Sequence, residues 1–287
     1  MPRVICAGHV NWDVTLRVEA LPDPDGEVAV DSRRSGGGGS AANVAIGLAD
    51  LDVGSALFGS VGDDEHGRAA REELADAGVD VDQVVTDSET ETTTKYIIVE
   101  PSGEVMVLGC SGANESFTAD DLPESALAAA DHLHMTSQAP ETAIHLAERA
   151  RERDVPVSFD PGRRIDQRGY GPAITSVDYL FLNDREAALA LDAFDLEAQT
   201  LVLKHGPDGA EIRRGDGRTA HPGYPIEVVD TTGAGDAFAA GFIAANVGGA
   251  GDDRALAVAN ACGALASKAP GARTSLTWED VRAFLGE

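Results

Sequence analysis

Asp230-Thr231-Thr232-Gly233-Ala234-Gly235-Asp236-Ala237-Phe238 is the stretch around which the chain is organised. The run Ile226-Glu227-Val228-Val229 precedes it, and apolar residues at helical spacing follow over 237–247. The stretch therefore reads as a strand that turns into a helix through glycines. Free N–H groups of a first helical turn point outward, and the helix dipole adds partial positive charge there. Gly233, Ala234 and Gly235 thus form an anion site made from backbone. A carboxylate beside a bound anion repels it, so Asp236 makes more sense as a base that takes a proton from an attacking hydroxyl. The plain alternative is an ordinary turn with Asp236 as an exposed first-turn acid, because glycine-rich helix starts serve many ligands. Two common phosphate motifs are absent: there is no Gly-Lys pair for a G-x-x-x-x-G-K-[ST] loop, and no G-x-G-x-x-G follows the first apolar run.

Composition bounds the partners. The chain has 287 residues, 43% of them hydrophobic, enough for one large α/β domain, alone or with a small appendage. Its net charge is -27, and its only lysines are Lys95, Lys204 and Lys268. Such a field repels nucleic acid and anionic membrane, so a phosphate ligand must be held by local donors. An acid-rich, lysine-poor surface also suits high salt, which screens self-repulsion. We read a halophile's cytoplasmic protein without a signal peptide, the alternative being an acidic mesophilic one. Cys6, Cys110 and Cys262 are too few and too scattered for a disulfide framework or a metal motif. The longest uncharged stretches, 35–49 and 237–251, are short and glycine-rich, and neither spans a membrane.

Along the chain, apolar runs at 4–8, 56–59, 132–135, 155–159, 179–182 and 201–203 alternate with helical patterns at 43–51, 65–77, 140–153, 233–246, 253–268 and 277–285. Repeated strand-then-helix units predict a mostly parallel sheet covered by helices on both faces. Residues 15–19, 27–31, 93–98 and 104–108 instead alternate polar and apolar, with a turn at Pro101-Ser102-Gly103. They predict half-exposed strands of a small separate sheet, a lid, over about 14–35 and 92–110. His132 and His134 share a strand face. A metal pair is one reading, but core or rim histidines fit better, since no third ligand is evident.

Asp230 to Phe238 resembles the C-terminal signature of the ribokinase, or PfkB, family of carbohydrate kinases. Gly38-Gly39-Ser40-Ala41-Ala42-Asn43-Val44-Ala45 resembles its N-terminal signature, in the expected order, and the similarity runs over essentially the whole chain. The resemblance implies a doubly wound ribokinase-like α/β fold with a small β lid, in a single domain over 1–287. It implies transfer of the γ-phosphoryl group of ATP to a primary hydroxyl of a small sugar, with Asp236 as base. Mg²⁺ is the implied cofactor, and some members also need K⁺, for which Asp230, Thr232 and the loop 269–275 match. A homodimer through the lid strands is implied as well.

Strand ends supply the remaining candidates. Asn11 and Asp13 follow the first strand, where side chains can hold sugar hydroxyls; the alternative is a solvated turn pair. The resemblance gives Asp13, Gly38, Gly39 and Asn43 substrate contacts. Asn183-Asp184-Arg185-Glu186 resembles the family's N-x-x-E motif, with Glu186 steering Mg²⁺ through water; Asp184 could equally be a helix cap. Lys204 or the backbone at Gly206, in the 204–209 stretch ending at Gly209, can reach the nucleotide, as can Thr232. Asn260 lies on the helix that family members place near adenine, with a plain surface Asn as the near-equal alternative. Arg164, in Asp160-Pro161-Gly162-Arg163-Arg164, best matches the family's arginine near the acceptor. Gly112-Ala113-Asn114 looks ribokinase-like, but Ser40 stands where ribokinases carry Lys and Gln138 about where they carry a substrate-binding Glu. Ser158-Phe159-Asp160-Pro161-Gly162 is similar to archaeal nucleoside kinases of the same family. A sugar kinase is the first reading, a nucleoside kinase the alternative, and a non-catalytic sugar-binding regulator the third.

Overall fold

The computed structural model describes residues 3–21, 25–101, 105–197 and 199–287. The chain opens with β1 (Arg3–Ala7), whose alternate residues serve two cores: Val4 and Cys6 on one face, Ile5 and Ala7 on the other. It then leaves for the antiparallel pair β2 (Asn11–Val18) and β3 (Val30–Gly38) and returns through α1 (Ser40–Asp50). Next come β4 (Gly54–Gly62), α2 (Glu65–Asp76) and β5 (Val84–Asp87), with β4 and β5 parallel. The strands β6 (Thr94–Val99) and β7 (Val105–Cys110) rejoin the first excursion. A short α3 (Glu124–Ala128) leads into β8 (His132–Thr136), α4 (Pro140–Arg151), β9 (Val157–Asp160), α5 (Gly171–Ile174), β10 (Tyr179–Asn183), α6 (Asp184–Ala193) and β11 (Thr200–Lys204). The hairpin β12 (Ala210–Arg214) and β13 (Gly217–His221) follows, then α7 (Ala234–Val247), α8 (Asp252–Ser267) and α9 (Trp278–Leu285).

Two sheets result. The nine-stranded sheet runs β13-β12-β11-β10-β9-β8-β1-β4-β5, and the four-stranded one runs β3-β2-β6-β7. Strands β5 to β11 of the large sheet pair in parallel; β12 and β13 are antiparallel at one edge. Parallel strands are buried on both faces, which is why their sequences are continuous apolar runs rather than alternating ones. One core packs α1, α7 and α8 against the sheet, and the other packs α4, α5 and α6.

The burial of α7 fixes where the glycine turn points. Every residue from Ala237 to Ala245 is buried, so the helix is sandwiched rather than amphipathic. Phe242 meets Phe181 of β10 edge-on at 5.3 Å, and Gly241 faces Cys262 of α8. A ring pair of this kind adds about 0.5–1.5 kcal/mol beyond its burial. The start of α7 is thereby held at the C-terminal ends of the parallel strands, where open α/β sheets bind ligands.

Several boundaries differ from the sequence reading. The run 226–229 is not a strand: Val228 and Val229 are 55% and 61% exposed, and Val229 and Asp230 only donate to the Ser267 carbonyl. An extended β-branched segment without a ladder partner has the propensity of a strand but not its pairing. The strand expected at 27–31 lies at 30–38, so part of the glycine run is strand rather than loop. The proposed turn at Pro101-Ser102-Gly103 lies largely outside the described residues. Among the described residues no helix is long and apolar enough to cross a membrane.

Candidate active site

The glycine turn is built as its sequence implies. Gly233 caps α7 in the left-handed region at φ 76°, and a Cβ there would collide with the backbone carbonyl of Ala272. Only glycine fits that combination without strain. The Ala237 N–H bonds the Gly233 carbonyl at 2.8 Å and the Ala234 N–H the Thr231 carbonyl at 3.2 Å, which leaves the N–H groups of Gly233, Gly235 and Asp236 without a backbone partner among the described residues.

Asp236 is half-buried in the first turn of α7. Asn43 Nδ2 on α1 donates to its Oδ2 at 2.8 Å. Burial, with Asp160's charge adding, pushes the carboxyl up to about 6, against the Asn43 bond and the Lys204 charge. Arg273 completes this corner. Its Nε donates to Asn43 Oδ1 at 3.1 Å and its Nη1 to Glu73 Oε2 at 2.8 Å, while Nη2 has no partner among the described residues. No sequence signal marked Arg273, which lies 230 positions from Asn43.

Asp13 on β2 lies over Gly38, so closely that a Cβ at 38 would strike its carboxylate. Burial raises its pKa, opposed by the Lys95 and Arg273 charges. Gly39 follows at φ 100°, packed on the His9 carbonyl, and starts α1. Buried polar atoms without partners cluster here: Asn11 Nδ2, Asp13 Oδ1, Thr136 Oγ1 and both side-chain atoms of Gln138. A folded chain rarely leaves so many buried polar atoms unbonded, and a polyhydroxyl ligand would satisfy both donors and acceptors. Asn114 braces the group, donating to Asn11 Oδ1 at 2.5 Å and accepting from the Val10 N–H at 3.2 Å.

A second cluster lies at the ends of β9 to β11. Lys204 Nζ donates to Asp160 Oδ2 at 2.5 Å and passes within van der Waals reach of Gly235. Desolvation works against its charge, but Asp160 overrides this and the ammonium ends raised. Asn183 and Glu186 form a capping box for α6: Asn183 Oδ1 accepts from the Glu186 N–H, and Glu186 Oε2 from the Asn183 N–H, both at 2.9 Å. Asn183, not Asp184, is therefore the cap, and the three-residue spacing has a structural cause of its own. Burial raises the Glu186 pKa, and Asp160's charge adds to it. The carboxylates of Asp160 and Glu186 lie near enough to act on each other's charge, and hard carboxylate oxygens of this kind suit Mg²⁺.

Other candidates fall elsewhere. Arg164 is exposed, and Arg168 is the inward arginine: it forks onto Glu115 at 2.7 Å through each nitrogen and reaches the Gln138 carbonyl at 2.6 Å. Asn260 Nδ2 is spent on the Leu256 carbonyl at 2.8 Å, bonding back to its own helix. Gly206 is exposed and Gly209 is buried against the His221 carbonyl. Asp230 accepts from the Thr232 N–H at 2.8 Å and the Gly271 N–H at 2.9 Å, tying the glycine turn to the loop 269–275. His132 and His134 share the Ser158 hydroxyl, each at 2.7 Å, and burial pushes both down to about 3. They are neutral core residues. Among the described residues no three His, Cys, Asp or Glu converge as a metal cage.

The family model for pfkB family carbohydrate kinases matches residues 1–279. The chain belongs to this family. The ATP-dependent ribose-1-phosphate kinase of Halopiger xanaduensis is 50% identical over 293 aligned positions, covering 100% of this chain and 99% of the relative. The nucleoside kinase of Methanocaldococcus jannaschii is 27% identical over 98% of this chain and 96% of its own. Its crystal structure superposes with a TM-score of 0.90, covering 100% of this chain and 98% of that one. Arabidopsis thaliana ribokinase complexed with ribose and ATP superposes at 0.89 with 25% identity, covering 99% and 98%. This PfkB-family chain is thus an ATP-dependent carbohydrate kinase with the ribokinase fold, as its two signatures implied.

Proposed function

We propose that the chain phosphorylates the primary hydroxyl of ribose-1-phosphate, with ATP as donor. The observation that carries the reaction class is the Asp236 carboxyl, lifted by burial at the mouth of an N–H cradle and aimed by Asn43. The 50% identity over the full length supports the substrate. A nucleoside presents the same ribose hydroxyl, and the M. jannaschii structure supports it as the second reading.

Asp13, with the N–H groups at Gly38 and Gly39, holds the ring hydroxyls, and Asn11 and Gln138 bond what remains. Asp236 takes the proton of the primary hydroxyl as its oxygen attacks the γ-phosphorus; the bond from that phosphorus to the β–γ bridging oxygen breaks, and ADP leaves. N–H groups at Gly233, Ala234 and Gly235, with the Lys204 ammonium, stabilise charge on the moving group. Asn183, Thr232, Gly206, Gly209 and Asn260 border the nucleotide, Asn260 by packing rather than hydrogen bonding. Mg²⁺, steered by Glu186 and Asp160 through water, would neutralise phosphate charge. The four-stranded sheet acts as a lid that excludes water.

The pH dependence follows from Asp236. Its base form is populated only above about 6, so log kcat/KM should climb with pH through that value and level off above it. A profile flat from pH 5 to 8 would contradict the base assignment. ADP formation over ribose-1-phosphate, ribose, fructose, adenosine, inosine, guanosine and cytidine, in multimolar KCl with Mg²⁺, tests the substrate. Turnover on nucleosides alone would select the second reading.

Two finer points belong to the same reading. Asp230, Thr232 and the 269–275 loop form a K⁺ site, so rates should fall in choline chloride at matched ionic strength. The edge strand β7 exposes Val105, Met106, Val107 and Leu108 by 40–54%, an apolar strip that a second copy would cover. Light scattering should therefore give a dimer in high salt, the condition that the charge of -27 suits in a cytoplasmic protein.

A further inference from the structure

Of the three lysines, Lys204 is paired with Asp160 and Lys268 lies over the Phe284 ring. Lys95 has no hydrogen bond or ion pair among the described residues. It stands on β6 in register with Asp13 of the parallel β2, so the two side chains leave the same face of the small sheet. That face is turned on the site, since Arg17, further along it, acts on Asp230. Lys95 acts electrostatically on both Asp13 and His9. Yet it does not close on its neighbour: Asp13 Oδ1 is unpartnered, and no ion pair joins them. The chain has a net charge of -27, yet the small sheet carries Lys95, Arg17, Arg33 and Arg34 without an ion pair among the described residues.

The site is electrically polar. Asp236, Asp160, Glu186 and Lys204 occupy the transfer end. The other end holds His9, Glu115 and Arg168. Glu115 accepts from His9 and from both Arg168 nitrogens, which hold its carboxyl at about 2. Burial lowers the His9 pKa and leaves the ring neutral. Arg168 is thus spent on Glu115, whereas Lys95, whose charge acts on Asp13 without an ion pair between them, is free to turn to an added anion. A neutral ring substituent gains nothing from such a charge, whereas a substrate that brings its own phosphate does. Gln138 adds a buried, unpartnered amide whose Nε2 can donate to a phosphate oxygen, where a carboxylate could only repel it.

We infer that Lys95, with the Gln138 amide, forms the subsite for a phosphate the substrate already carries on the carbon farthest from the hydroxyl being phosphorylated. The inference rests on the ribose-1-phosphate reading and assigns it residues. It also gives the lid a role in selection, since Lys95 arrives with β6.

The test compares kcat/KM for ribose-1-phosphate and for unphosphorylated ribose or inosine, with wild type, Lys95→Ala, Lys95→Arg and Gln138→Glu, at saturating ATP. Lys95→Ala should cut the preference for the phosphorylated acceptor by roughly 30-fold or more, mainly through KM, as a lost charge-assisted contact does. Lys95→Arg should restore most of it, and Gln138→Glu should depress the phosphorylated acceptor more than the neutral one. Calorimetric titration with ribose-1-phosphate supplies the same comparison where neutral acceptors turn over too slowly. Equal losses on both acceptors, or none in Lys95→Ala, would overturn the inference while leaving the substrate standing. A wild type that uses nucleosides but not ribose-1-phosphate would overturn both.

Discussion

Asp236→Asn should lower kcat by about 10²- to 10⁴-fold, the range a positioned general base contributes, while substrate affinity changes little. The isosteric amide keeps the fit beneath Asn43 but cannot take a proton. The same substitution should change stability in the opposite direction. A carboxyl raised to about 6 is bound to its proton more tightly in the folded than in the unfolded chain, so ionising it opposes folding. That cost is absent below pH 4, grows between pH 4 and 6, and is complete above 6. Asp236→Asn should therefore gain on the order of 2 kcal/mol of stability at pH 8 relative to pH 4. Urea midpoints at the two pH values, set beside the kinetics, check both halves. Near-wild-type turnover would remove Asp236 from the chemistry, and a stability gain of equal size at both pH values would contradict its raised pKa.

Gly233→Ala should be nearly as damaging for a different reason. A side chain at φ 76° beside the Ala272 carbonyl forces the turn to shift, and the N–H groups of the cradle shift with it. A loss of roughly 10²-fold in kcat is expected from misplaced donors, with about 1–3 kcal/mol of stability lost to backbone strain. Gly235→Ala is the informative partner. A Cβ at 235 meets only Lys204 Nζ, at 3.8 Å, so the variant should fold with native stability. It should still lose activity, because on the proposed reading the methyl group would enter the space of the transferring phosphoryl group. If Gly235→Ala kept full activity, the cradle would have to lie elsewhere.

The parallel strands were legible because burial on both faces erases alternation, and the runs at 155–159, 179–182 and 201–203 end beside the candidate side chains Asp160, Asn183 and Lys204. The glycine turn was legible because left-handed backbone and close approach demand glycine. The rest depended on long-range geometry. Asn43 meets Asp236 across 193 positions, and Arg273 reaches Asn43 from near the C-terminus, so neither contact leaves a local pattern. Arg164 and Arg168 differ only in which way a short loop turns them. Asn183 and Glu186 were legible as a spacing, but a capping box and a functional motif share that spacing. Val228 and Val229 misled because β-branched residues suit extended chain whether or not a partner strand exists.

The most direct test is ³¹P NMR of a reaction holding ATP, Mg²⁺ and ribose-1-phosphate. The account requires ADP and one new phosphomonoester resonance coupled to the two methylene protons of the phosphorylated carbon, with the anomeric phosphate retained. Release of inorganic phosphate with the sugar unchanged, or loss of the anomeric phosphate, would contradict transfer to the primary hydroxyl.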